Sequence, residues 1–142
     1  MMRVFWVMLV AAGLSGCTSF RADSEHLKAV PAERLSAWQQ TLATSSELVV
    51  DRDIGIMGGG CYVALMIDRE PAALMAVGEV ATFHLPPGEH IVGITTDKQG
   101  GMLCSKGRLD RELRLQTSAG QRQHLRIVSE AKSGFGIVLD PR

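Results

Sequence analysis

The chain has 142 residues, 46% of them hydrophobic, with fifteen basic and fifteen acidic side chains and a formal net charge of zero. That length suits one domain with a real core and is short for two ordinary ones. The balanced charge carries no electrostatic footprint for nucleic acid, so no nucleic-acid partner is expected.

In chain order, Arg3 sets a positive start, and residues 4–14 form an unbroken apolar run that gives way to small residues at Ser15 and Gly16. The run falls short of the about 20 apolar residues that span a bilayer, and its layout is that of a cleaved secretory signal, residues 1–16. The sequence Leu14-Ser15-Gly16-Cys17 resembles the lipobox of bacterial lipoproteins. The resemblance implies a diacylglycerol on the Cys17 thiol, cleavage before Cys17, acylation of the new amino terminus and a membrane as the first partner. Thr18, rather than aspartate, follows the cysteine. By similarity to enterobacterial lipoproteins this implies the outer membrane, facing the periplasm. A simple secretory signal with an incidental cysteine stays open. Since each buried methylene contributes about 0.8 kcal/mol, several acyl chains make a permanent anchor, and the domain itself need not touch lipid. Without Arg3 the mature chain has fourteen basic against fifteen acidic residues.

Residues 17–30 are polar and lack an apolar period, so they are expected to be a tether. Residues 31–142 are expected to form a single β-rich domain. Over 31–42, Pro31 suits a first helical position and Leu35, Trp38 and Leu42 share a stripe, which predicts a short amphipathic helix packed on the domain. Strands are predicted at 47–51, 61–68, 74–77, 80–85, 90–96, 109–117, 123–130 and 135–139, with turn chemistry at 86–89, 99–101, 119–120 and 132–134. Cys61, Val63, Leu65 and Ile67 fall on one face, as do Ala81, Phe83 and Leu85, and Leu125 and Ile127. One buried and one wet face point to antiparallel sheets, so the expected fold is mainly β: a small antiparallel β-sandwich preceded by the helix.

Met66-Ile67-Asp68-Arg69-Glu70, with the later stretch over residues 80–92 through Pro86-Pro87-Gly88-Glu89-His90, resembles PEGA-like envelope β-domains and an uncharacterised lipoprotein family with a related domain. Asp68 matches that pattern, while Arg69 stands where the family has glycine. The resemblance is best over residues 47–97 and implies a fold rather than an activity.

With Cys17 used for lipid, Cys61 and Cys104 remain, and an oxidising compartment favours their pairing, although two buried thiols stay open. Gly58, Gly59 and Gly60 offer amides for a small anion, but without the Gly-Lys-Ser/Thr of a phosphate loop, a plain connection or a close backbone approach is the stronger reading. His26, His84, His90 and His124 are scattered, and only His84 and His90, bracketing the 86–89 turn, suggest a shared surface site; no metal or other cofactor is expected. No nucleophile elbow occurs, and Asp68, Glu79 and Glu89 are isolated carboxylates. The basic run from Lys106 to Arg114, joined by Arg122 and Arg126, is interleaved with acids and reads as a solvated face, with contact to an anionic headgroup or glycan surface as the alternative. Together these features predict a lipid-anchored, non-enzymatic envelope module with an envelope-protein or peptidoglycan partner. The alternative is a small-molecule or metal binder at the glycine loop.

Overall fold

A computed structural model of the protein describes residues 19–55, 60–100, 104, 109–130 and 134–141. The signal motif Leu14, Ser15 and Gly16, the cysteine Cys17, and Gly58, Gly59 and Lys106 lie outside them. Among the described residues there are nine strands: β1 (Lys28–Ala29), β2 (Ser46–Arg52), β3 (Val63–Ile67), β4 (Glu70–Met75), β5 (Glu79–Leu85), β6 (Gly88–Thr96), β7 (Asp110–Thr117), β8 (Arg122–Glu130) and β9 (Gly134–Asp140). They build a five-stranded sheet, β1-β5-β2-β8-β9, and a four-stranded sheet, β4-β3-β6-β7.

The alternation in the sequence fixes which side of each strand faces in. Val63, Leu65 and Ile67 of β3, Leu48 and Val50 of β2, Ala81, Phe83 and Leu85 of β5, and Leu125 and Ile127 of β8 meet in one core with Val92 and Ile94 of β6. Both sheets contribute to this core, so neither sheet is stable without the other. The inward pattern of β2 continues to Arg52, which is 1% exposed. Its Nη1 donates to the carbonyls of Cys61 (2.8 Å) and Met75 (2.6 Å), and its guanidinium lies 5.5 Å from the Phe135 ring. A buried cation is tolerable here because it bonds carbonyls beside the second sheet. Burial is also the main reason its pKa drops to about 10, against the opposing pull of Glu79.

Three features depart from the sequence reading. The sheets are mixed, not purely antiparallel: β1 runs parallel to β5, and β2 runs parallel to β8. Between β2 and β8 the chain visits the four-stranded sheet twice and returns once as β5, antiparallel to β2, before β8 re-enters the first sheet in the same direction as β2. The Pro86-Pro87 turn accordingly joins two sheets and is no hairpin, because β5 pairs with β1 and β2 while β6 pairs with β3 and β7. Consecutive strands paired antiparallel within one sheet are β3–β4, β8–β9 and, across a longer loop, β6–β7.

The predicted helix over 31–42 is replaced by one 3-10 turn, Ala32–Arg34, followed by extended chain. A dozen residues are too few to hold a helix without strong tertiary support. Here tertiary contacts favour extension: Leu35 bridges Ala73, the Ser36 amide donates to the Ala72 carbonyl, and Trp38 takes a φ of 64°. Leu35 and Trp38 still pack on the core as the stripe suggested, whereas Leu42 is exposed. From Ser19 onward, the segment expected as a tether lies on the domain. Phe20 forms an antiparallel bridge with Ile54, the Ser19 amide donates to the Ser129 carbonyl, Ala22 is buried, and β1 extends the sheet beside β5.

Candidate functional site

The strand directions give the molecule two ends. Arg52, Met75, Val63, Thr96, Glu130 and the disulfide partner Cys61 lie at the end where the chain enters at Ser19 and Phe20. The opposite, distal end carries the turns at 68–69, 86–87 and 118–121 and the chain before β2.

At the entry end, Cys61 and Cys104 are joined, with their Cα atoms 5.4 Å apart. The bridge ties the connection before β3 to that before β7. A second array covers the outer face of the five-stranded sheet. Asp51 and Asp53 stand two apart on β2 and its extension, so both carboxylates point to the side opposite Val50 and Arg52. His124 Nε2 lies 2.6 Å from Asp51, Arg126 makes a forked contact to Asp53 (3.1 and 2.6 Å), and the Ser19 hydroxyl donates to Asp53. Arg21 joins Asp51 to Asp140. Both carboxylates on β2 are nearly fully buried, and the array fastens residues 19–21 to the sheet. Gly55 permits this seat, because a Cβ there would meet Ser129 Oγ at 2.9 Å and Ser19 Cβ at 3.1 Å.

A second ionic cluster stands nearby. Arg34 donates to Glu79 (2.7 Å) and to the Leu74 carbonyl, and its guanidinium lies 4.6 Å from the Tyr62 ring. The Glu79 hydrogen bond raises the Arg34 pKa against desolvation. Burial alone would raise Glu79, but the Arg34 hydrogen bond, the Ala76 amide and the charges of Arg34 and Arg52 outweigh it and hold the carboxyl below its ordinary value.

At the distal end, His90 is buried on β6. Its Nδ1 is 2.7 Å from Asp68 and its Nε2 is 2.6 Å from the Pro86 carbonyl, so each ring nitrogen faces an acceptor. Thr117 donates to the Pro86 and Gly88 carbonyls, closing the same corner. Burial pushes Asp68 upward, but the hydrogen bonds from His90 and the Ile91 amide, with the imidazole charge, bring its pKa below the usual carboxylate value. This Asp-His pair does not resemble a general base: the nitrogen that would take a proton is already held on a backbone carbonyl.

Against the corner lies a groove of about 290 Å³ lined by Trp38, Gln39, Gln40, Leu42, His84 and Pro86. Trp38 packs edge-on to His90, its carbonyl accepts from the His84 amide, and Gln39 donates to the Thr82 carbonyl. These contacts cover the β5 edge beyond β1, where unpaired strand groups would otherwise invite aggregation. The Trp38 indole N–H is buried and has no acceptor among the described residues.

The structure thus joins Cys61 to Cys104 and separates the histidine pair, turning His90 inward to Asp68 and His84 toward the groove. Gly60 is exposed, with open space around it. Among the described residues, no group of three or more histidine, cysteine or acidic side chains could hold a metal ion. On β7, the exposed Arg114 pairs with Glu89, in keeping with a solvated face. Sequence reasoning missed the Asp51–Asp53 array, whose signal was two carboxylates alternating with Val50 and Arg52. It also missed the groove, because the helical stripe placed Trp38 and Leu42 on one face of a helix.

No family model matches the chain, and no curated protein or solved structure matches it.

Proposed function

We propose that the protein is a lipid-anchored envelope module of the bacterial outer membrane, facing the periplasm, whose work is to hold a partner rather than to turn over a substrate. The observation that carries the binding half of this reading is the distal groove, where exposed Leu42 and Pro86 stand with Trp38 and His84 along the lining and offer an apolar seat to a bound chain. The anchor rests on Leu14-Ser15-Gly16-Cys17, and the Cys61–Cys104 bridge is consistent with an oxidising compartment. The imidazoles of His90 and His124 and the carboxylates of Asp51, Asp53 and Glu79 are committed to ion pairs and hydrogen bonds, which favours a structural role for them. The architecture, two sheets around one core, accommodates the antiparallel-rich sandwich implied by the PEGA-like resemblance.

Anchoring confines module and partner to a thin layer, so weak groove contacts suffice through effective concentration. The test is a photo-crosslinking side chain at position 42 in the lipidated protein within its own envelope. A reproducible protein adduct, lost with Cys17→Ser, is expected. Peptidoglycan capture would reassign the partner, and recovery of free monomer alone would refute the interaction reading.

A further inference from the structure

The domain has almost no free chain between its first sheet contact and Cys17. Ser19 is hydrogen-bonded to Ser129 in both directions, amide to carbonyl and amide to hydroxyl, and Phe20 exchanges both backbone hydrogen bonds with Ile54. One residue, Thr18, separates Ser19 from Cys17, and two Cα steps reach no more than about 7 Å. The Phe20–Ile54 bridge is antiparallel and follows the end of β2, so the chain enters across this rim of the sheets.

Exposure points the same way. Among the described residues, the two exposed large aromatic side chains are Phe20 and Tyr62, at 62% and 40%. Both stand at this rim, Tyr62 directly after the bridged Cys61. Tyrosine, with an apolar ring and a polar hydroxyl, favours the headgroup level of a bilayer, and the wholly apolar ring of phenylalanine favours the acyl boundary just beneath it.

From these observations we infer that the entry end of the domain, with Phe20 and Tyr62 among its described residues, sits directly on the lipid surface, the buried Asp51–Asp53 array fixing the angle at which it sits. This rests on lipidation of Cys17 as proposed above. A permanent anchor alone leaves a domain free to tumble on its tether. Here the seat of Arg21 and Ser19 removes the tether, so the rim carrying the disulfide faces the membrane and the Trp38 groove faces away from it, roughly 25 Å distant along strands of seven to nine residues.

The experiment uses the mature lipidated protein in phosphatidylethanolamine–phosphatidylglycerol vesicles with brominated acyl chains. After removal of residues 1–16, Trp38 is the sole tryptophan and serves as the distal reference. Phe20→Trp in a Trp38→Phe background should be quenched several-fold more strongly than Trp38 in the unaltered protein. Hydrogen exchange of the unaltered protein provides a second reading: amides near 19–20, 60–62 and 97–100 should gain protection on vesicles relative to soluble Cys17→Ser, while those at 118–121 should not. Equal quenching at the two positions, or protection spread over both ends, overturns the seating. Mass spectrometry of the purified protein separates the two claims: an unlipidated Cys17 defeats the anchor and the seating together, whereas a lipidated protein without quenching defeats the seating alone.

Discussion

The two ends of the molecule close the same pair of sheets by different means. At the entry end, ten residues connect β2 to β3 and thirteen connect β6 to β7, beside three-residue connections from β4 to β5 and from β8 to β9. At the distal end, two residues separate β3 from β4, two separate β5 from β6, and four separate β7 from β8. Longer loops cost more closure entropy and supply fewer local hydrogen bonds. The entry end accordingly holds the disulfide, the Arg52 contacts across the sheets and the Asp51–Asp53 array, whereas the distal end is closed by turn geometry and by His90 and Thr117 bonded to Pro86. Cross-links gather where the chain's own turns cannot do the work.

The largest test of that contrast removes the bridge. Cys61 and Cys104 enclose a loop of 43 residues, for which the chain-entropy model gives about 4 kcal/mol. The double variant Cys61→Ala/Cys104→Ala should lose roughly that much in urea denaturation, a large part of the stability of an ordinary domain. A loss under about 1 kcal/mol would show that the entry end closes without its cross-link.

Arg52 comes next. Arg52→Ala deletes two charge-assisted hydrogen bonds and opens a cavity, and should cost about 3 kcal/mol. Arg52→Met fills the space without a charge to desolvate and should cost distinctly less. Equal losses for the two variants would assign the effect to the hydrogen bonds rather than to packing.

Acid sharpens the contrast in a third way, since each end holds one carboxyl of depressed pKa: Glu79 at the entry end and Asp68 at the distal end. A group whose folded value lies below its unfolded value contributes stability that is fully present above the unfolded value of about 4 and is lost as pH falls through the folded one. Stability should therefore hold from neutrality to about pH 5 and decline below about pH 4. Glu79→Gln should flatten this decline more than Asp68→Asn, because the Glu79 side chain is 10% exposed and that of Asp68 is 35%. Urea midpoints measured against pH decide it, and a greater flattening by Asp68→Asn would reverse the ranking of the two ends.

What the sequence made legible follows the same division. Strands with clean alternation, such as Val63-Ala64-Leu65-Met66-Ile67, stand where their period placed them, because a one-residue slip would turn every apolar side chain outward. Sheet membership was not legible at Pro86-Pro87, since the same turn residues serve a hairpin and a corner between sheets. Trp38 misled because a spacing of three and four residues shows which side chains want burial, and an extended segment with Trp38 in the left-handed region buries Leu35 and Trp38 as well. Count and an expected oxidising compartment favoured the pairing of Cys61 with Cys104 but left two buried thiols open, while the partners of Asp51, Asp53 and Arg52 depended on strand order, which local pattern does not encode.

The smallest expected effect is at the distal end and has the opposite sign. Asp68 and Arg69 form the two-residue β3–β4 turn with φ values of 51° and 65°. Two positive angles in succession define the hairpin turn that favours Asp-Gly, and the second position is held by arginine. A side chain in the left-handed region costs about 1–2 kcal/mol, and the greater freedom of glycine in the unfolded chain takes back about 0.5–1 kcal/mol. Arg69 contacts Glu112 at 3.4 Å, but side-chain exposures of 73% and 44% leave that pair contributing little. Arg69→Gly should therefore stabilise the domain by about 0.5–1 kcal/mol, a rise of a few degrees in Tm. Arg69→Ala, which keeps the backbone cost and loses the ion pair, should be neutral or slightly destabilising. If both variants destabilise equally, the Glu112 contact outweighs backbone strain, and the distal end too depends on side-chain ties rather than on its turns.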